Sequence, residues 1–299
     1  MADNTITTGS TLFPSKLSNE IFAKVNGFSA LAALSGQSPI PFAGLDTFVF
    51  TMDGEASVVG EGATKPAGDA KFEPVTIKPI KFVYQHRLTD EFVYMSEESQ
   101  VPYMNAFTDG FAKKIARALD IAAIHGVNPY DGETSTVIGD NNFDTLITSN
   151  VVDYDSTAPD DNVDAAASLV IESDGILTGV AMATTFASAI GAMKTTDGLT
   201  IYPEFRFGNN PGTFGGMSVA VNNTVSFGSC ADRAIVGDFE NAFKWGYSAD
   251  IPMKVIEYGD PDGQGDLQRM NQIVLRAEAY IGWGILDETS FAIIKEASE

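Results

Sequence analysis

The segment from Leu45 to His86 constrains the fold most, because it alternates like paired strands over a length that a compact body of this chain does not enclose. Phe48, Phe50 and Met52 share one face and Thr47, Val49 and Thr51 the other, the period-two signature of a β-strand. Gly54 to Ala70 is loop chemistry, and a second strand runs through Val75 and Ile77. Beyond Pro79 the apolar phase shifts to Ile80, Phe82 and Tyr84, as a bulge at a proline would cause, so the strands read as one long antiparallel hairpin. About fifteen residues a side, at roughly 3.3 Å each, span on the order of 50 Å. A compact chain of this length has a radius of gyration of only about 19 Å. The hairpin is therefore expected to overhang its own body, and a two-stranded ribbon alone in water is marginal. It needs a partner surface.

Residues 1–44 carry one short amphipathic stretch, in which Leu17, Ile21 and Val25 recur every four residues. That stripe is too narrow to make its own core, so the segment reads as an arm that packs on something else. After the hairpin comes the strongest helix signal. Pro102 marks its start, Met104, Phe107, Phe111, Ile115, Leu119 and Ala122 follow at three-and-four spacing, and Gly126 stops it. Lys113, Lys114 and Arg117 take the other side, and the rod is expected to be about 35 Å long. Residues 127–164 are acidic and turn-rich. A helix capped by Asp161 or Asp164 and carrying Val163, Ala167, Val170 and Ile171 is expected next, then another over 184–194. Strand patterns return at 218–222, 234–237, 251–258 and 273–285. With 28 glycines and 20 phenylalanines in 299 residues, this order predicts a turn-rich α+β fold.

Charge and chemistry exclude several functions. Lys and Arg number 18 against 40 Asp and Glu, and the net charge of -22 opposes a broad grip on nucleic acid or an anionic membrane. Cys230 is the only cysteine, so no internal disulfide framework and no thiolate metal cluster is expected. The start of the chain lacks a basic region followed by an apolar run, and no apolar stretch is long enough to span a bilayer; a soluble, cytoplasmic product is expected.

Asp153, Asp155 and Thr157 copy the first alternating ligands of a calcium loop. Ala158 stands where that loop needs glycine and Asp164 where it needs a bidentate Glu, so a solvated loop is the better reading. His86 reads as a strand-packing residue, and His125 as a cation complementing the dipole at a helix end. The run Gly60-Glu61-Gly62-Ala63-Thr64-Lys65 fails the phosphate-loop spacing and places a carboxylate where the anion would sit. Cys230 has no histidine nearby in sequence. No catalytic, cofactor-binding or metal residue is expected, and no cofactor. An enzyme alternative would be a small-molecule or carbohydrate hydrolase using paired carboxylates.

Several stretches together resemble the tailed-bacteriophage major capsid proteins of the Hong Kong 97 type. Val58-Val59-Gly60-Glu61-Gly62 with Lys65-Pro66, then Asp69-Ala70-Lys71-Phe72 and Val75, are similar to that family's extended loop, and Arg87 to Val93 to the strand-to-helix step after it. Met182 to Phe186, Met193 to Gly198, Phe214 to Val219 and Ala234 to Phe239 follow in the family's order. Asn271 to Gly282 and Ser290 to Ile294 resemble its last strand and closing apolar turn.

The resemblance implies an α+β capsid fold: an N-terminal arm (1–44), an extended loop (45–86), a peripheral domain with a long spine helix (87–130), an axial domain (131–240), and return strands with a closing axial segment (241–299). It implies self-assembly into hexamers and pentamers of an icosahedral shell in the virion, formed in the host cytoplasm. The shell would enclose double-stranded DNA without sequence-specific binding, and no membrane would be involved. Partners implied are a portal and a separate scaffold or decoration protein, because the chain starts almost at the arm where many relatives carry a scaffolding region. An encapsulin-like nanocompartment shell is the neighbouring alternative. The expected contacts between subunits are Val58, Val59, Glu61, Lys65 and Phe72 on the hairpin and Leu17 and Ile21 on the arm, with Glu61 and Lys65 making salt-sensitive contacts at the tip.

Overall fold

The computed structural model describes residues 28–53, 56–95, 97–248 and 253–297. The stripe of Leu17 and Ile21 lies outside the described residues, as does part of the strand expected at 251–258.

Strands β1 (Leu45–Asp53) and β2 (Asp69–Ile77) form a separate antiparallel ribbon, with Leu45 opposite Ile77 and Asp53 opposite Asp69. The expected hairpin is thus real but shorter than its sequence suggested. Strand β3 (Ile80–Thr89) is not its continuation. It pairs with β11 (Gln272–Ile285), from Ile80 opposite Ile281 to Thr89 opposite Gln272. The expected bulge at Pro79 is therefore a change of sheet. Proline has no N–H for a ladder and holds the preceding residue extended, so pairing ends at Ile77 and the chain crosses to a new partner. The ribbon has nine residues a side, roughly 30 Å at about 3.3 Å each. Lys81, inside the span expected as hairpin, lies on β3 and pairs with Glu278 at 2.9 Å.

Strand β11 is the axis of a second sheet. It pairs with β3 from Gln272 to Ile281, with β10 (Met253–Ile256) from Val274 to Ala277 and with β9 (Phe243–Tyr247) from Ile281 to Ile285. Gly246 on β9 is required by contact: a Cβ there would stand 1.6 Å from the Ser38 carbonyl oxygen, where residues 37–40 run alongside β9. Ahead of them, helix α1 (Ala30–Leu34) is buried. The short helix α2 (Glu91–Tyr94) follows β3 and leads into the long helix α3 (Glu97–His125).

Helix α3 buries the expected stripe, with Met104, Phe111, Ile115, Leu119 and Ala122 all inside. It begins earlier than Pro102 suggested. Gln100 donates to the carbonyls of Phe92, Val93 and Met95 and so joins the first turn of α3 to α2. The rod is about 43 Å long at about 1.5 Å per residue. Gly126 stops it in the left-handed region at φ 66°, with Asn142 packed where a side chain would go.

A third sheet has the order β4 (Val151–Asp153), β12 (Phe291–Lys295), β8 (Asp232–Gly237), β5 (Gly179–Met182), β7 (Met217–Val221), β6 (Thr213–Phe214). The β4–β12 and β5–β7 pairs are parallel and the rest antiparallel. The remaining α-helices among the described residues are α4 (Phe143–Leu146), α5 (Pro159–Glu172), α6 (Thr184–Ala192) and α7 (Leu267–Met270).

Helix α5 corrects the expected cap. Its N-cap is Ala158, which has no side-chain bond to give, and Pro159 opens the first turn. Asp161 lies inside that turn, where its charge suits the helix dipole, and Asp164 is exposed. The buried stripe is Val163, Ala166 and Val170, while Ile171 faces outward. One continuous apolar core joins α3 to both larger sheets through Phe111, Leu119, Ile235, Trp245, Trp283 and Phe291.

Candidate functional site

Among the described residues the ribbon buries little of its own surface. Among the described side chains of β1 and β2 only Ile77 is buried, and it seats the base of the ribbon against Gly282 and Gly284 of β11. Phe48 and Phe72 stack with ring centroids 4.7 Å apart, yet remain 58% and 61% exposed. Aromatic faces this open in a monomer mark a surface for another molecule. Val58, Val59, Glu61 and Lys65 lie together on the exposed tip. The structure thus gathers five of the expected contact residues on one ribbon, with Leu17 and Ile21 outside the described residues.

Two polar nodes brace the body beneath it. Arg87 on β3 donates through Nε to Asp262 at 2.8 Å and through Nη2 to Asp262, to Asp260 at 3.3 Å and to the Gly265 carbonyl at 2.9 Å. The Arg87 hydrogen bond holds the Asp262 carboxyl down at about 2, against the opposing effect of desolvation. Asp120 sits fully buried on α3. It accepts from Ser29 Oγ, from the Ala30 amide at 2.8 Å, from the Leu31 amide at 3.3 Å and from Thr224 Oγ1 at 2.6 Å. Burial pushes its carboxyl up, and these donors pull it back. The result fastens the start of α1 to the long helix.

A third node lies at the end of α3. His125 Nδ1 is 2.9 Å from Asp144 Oδ2 on α4 and 3.0 Å from Asp232 Oδ2 on β8, and Nε2 is 3.1 Å from the Thr224 carbonyl oxygen. Lys295 on β12 reaches Asp144 at 2.5 Å and Asp232 at 3.4 Å. Burial disfavours the imidazolium, but the two carboxylates beside its ring, Asp144 and Asp232, outweigh it and raise the pKa to about 11. Expected only to complement a helix dipole, His125 instead joins three elements.

The family model for the phage capsid family matches residues 9–295. The chain belongs to that family. A solved structure from Mycobacterium phage Ogopogo is similar over 90% of this chain and 92% of that one, at 34% identity and a TM-score of 0.76. One from Gordonia phage Cozz is 24% identical, with a TM-score of 0.71 over 92% and 86% of the two chains. The capsid of a native GTA particle shares the fold at 16% identity and a TM-score of 0.61, over 100% of this chain and 95% of that one. No curated protein matches.

As a phage capsid protein, the chain is a structural subunit of the virion capsid that assembles with copies of itself, and the nanocompartment and hydrolase readings are not favoured. The acidic run crosses a short turn between β4 and α5: Asp155 accepts from the amide and hydroxyl of Thr157, while Asp153 ends β4 and Asp164 lies on α5, both exposed. His86 departs from expectation. It is exposed toward the end of β3, beyond the point where Tyr84 on the same alternation meets Phe107 of α3. Cys230, isolated in sequence, lies beside His125 in space. The signal that could have found the His125 cluster is slight: a charged residue ending an apolar helix, with Asp232 and Lys295 at the ends of apolar strands.

Proposed function

We propose that this capsid protein forms the hexamers and pentamers of an icosahedral shell, with the ribbon and the arm as contacts between subunits. The observation that carries this reading is a two-stranded ribbon, separate from the other sheets, with a stacked aromatic pair exposed on one face. Such a ribbon is marginal in water and gains stability when a neighbouring copy covers it. Val58, Val59, Glu61, Lys65 and Phe72 take the ribbon side of that contact, and Leu17 and Ile21 the arm side. Of the span 45–86 expected as the extended loop, the ribbon of 45–77 takes that role, and β3 joins residues 87–130 in the peripheral domain with its spine helix. Residues 131–240 act as the axial domain, and 241–299 return to the peripheral sheet before closing the axial one. The place of β12 in the six-stranded sheet supports that last division.

The shell encloses double-stranded DNA without reading its sequence, in keeping with a net charge of -22. It is assembled in the host cytoplasm with a portal and a separate scaffold or decoration protein, and the subunit has no enzymatic role. The test is electron microscopy of the expressed chain, with and without residues Gly60 to Gly68. The intact chain, with a scaffold if it requires one, gives uniform particles, and the deletion gives none or less stable ones. Equally stable shells from the deletion would overturn the contact assignment.

A further inference from the structure

Away from the ribbon, the fold brings its only cysteine, one histidine and two aspartates to one place from separate elements. The ligand atoms of His125, Asp144 and Cys230 all lie within 4.8 Å of one another. Asp232 adds another oxygen, with Oδ2 3.0 Å from His125 Nδ1. Nδ1 carries at most one proton and faces two carboxylates. It bonds to Asp144, which leaves Asp232 Oδ2, on a side chain 2% exposed, without a hydrogen bond of its own. Nε2 faces the Thr224 carbonyl, which only accepts, so Nε2 keeps its proton. Nδ1 is then the nitrogen available to a ligand other than a proton. A histidine whose far N–H is held by a backbone carbonyl is oriented as metal-binding histidines are.

We propose that His125 Nδ1, Asp144, Cys230 Sγ and Asp232 bind one divalent cation of the zinc class. Mixed nitrogen, sulfur and oxygen donors suit zinc, whereas calcium and magnesium take oxygen. A tetrahedral zinc site with bonds of roughly 2.0–2.3 Å has ligand atoms roughly 3.3–3.8 Å apart; the His125, Asp144 and Cys230 atoms lie within 4.8 Å of one another and Asp232 Oδ2 lies 3.0 Å from His125 Nδ1.

The metal form takes a neutral imidazole and a thiolate, so two carboxylates and one thiolate against the Lys295 ammonium leave two negative charges for a divalent cation to balance. Lys295 contacts the other oxygens, Oδ1 of Asp144 and Oδ1 of Asp232, and leaves both Oδ2 atoms to the metal. Bound metal would tie the end of α3 to α4 and to β8. Cys230 and Asp144 are only partly buried, which gives the ion a way in.

The test uses the purified full chain with zinc chloride and with cobalt chloride. One zinc per chain should be retained after gel filtration, with release of protons near neutral pH. Cobalt should give a thiolate charge-transfer band, which only Cys230 can supply and which ions on the acidic surface cannot mimic. Cys230→Ser should abolish that band while the far-ultraviolet circular dichroism is unchanged, and Asp144→Asn should weaken zinc binding by about 10-fold or more. No stoichiometric zinc, or cobalt bound by the wild-type chain without the thiolate band, would overturn the proposal whatever the variants do.

Discussion

At Asp120 a carboxylate stands among apolar neighbours, with Ala116, Ala123 and Ile124 all buried around it, and its four donors come from residues 29–31 and 224. Removing the acceptor strands those donors inside the core. Asp120→Ala should cost on the order of 3 kcal/mol, read as a lower midpoint in urea at unchanged slope. Arg87 and Asp262 give a pH test. Asp262 has its pKa lowered from 3.8 to about 2, so the clamp stabilises the fold above pH 3.8 and is lost as pH falls through about 2. Carboxyl NMR of Asp262 should show a midpoint near 2, moving toward 3.8 in Arg87→Gln. A midpoint unmoved by that substitution would remove Arg87 as the cause. Neither partner set was legible from spacing. Arg87 and Asp262 lie 175 positions apart, and Asp120 and Ser29 lie 91 apart, so only the folded chain introduces them.

At the scale of elements, local periodicity carried far. The stripe of α3, its glycine stop, and the strand patterns at β7, β8 and β11 are local signals, and the structure has them. What misled was Pro79. An apolar phase shift looks the same whether a strand bulges or leaves its sheet, and the partner β11 lies near the far end of the chain. The shorter ribbon keeps the property that mattered, because Phe48 and Phe72 are exposed on strands that bury almost nothing. Phe72→Ser should therefore leave the subunit's own stability within about 0.5 kcal/mol, since surface changes away from the core cost little. The same substitution should reduce the yield of particles in electron microscopy. A large loss of subunit stability would place Phe72 in the core and count against the ribbon as a contact.

At the scale of the whole molecule, length arithmetic pointed to self-association even though it overstated the ribbon, because two exposed strands of any such length lack a partner within one chain. Net charge sets the conditions for that association. Copies carrying -22 each repel at long range, whereas the proposed charged contacts of Glu61 and Lys65 at the ribbon tip would attract only locally. Screening lengths fall from about 30 Å at 0.01 M salt to about 10 Å at 0.1 M, so added salt removes the long-range repulsion first. Light scattering should therefore show assembly becoming faster between about 0.01 and 0.1 M salt. Near 1 M, where the screening length is about 3 Å, the local attraction is screened as well and the gain should level off or reverse. Assembly that slows steadily from the lowest salt upward would show instead that attractive charge contacts, not net repulsion, govern the approach of subunits.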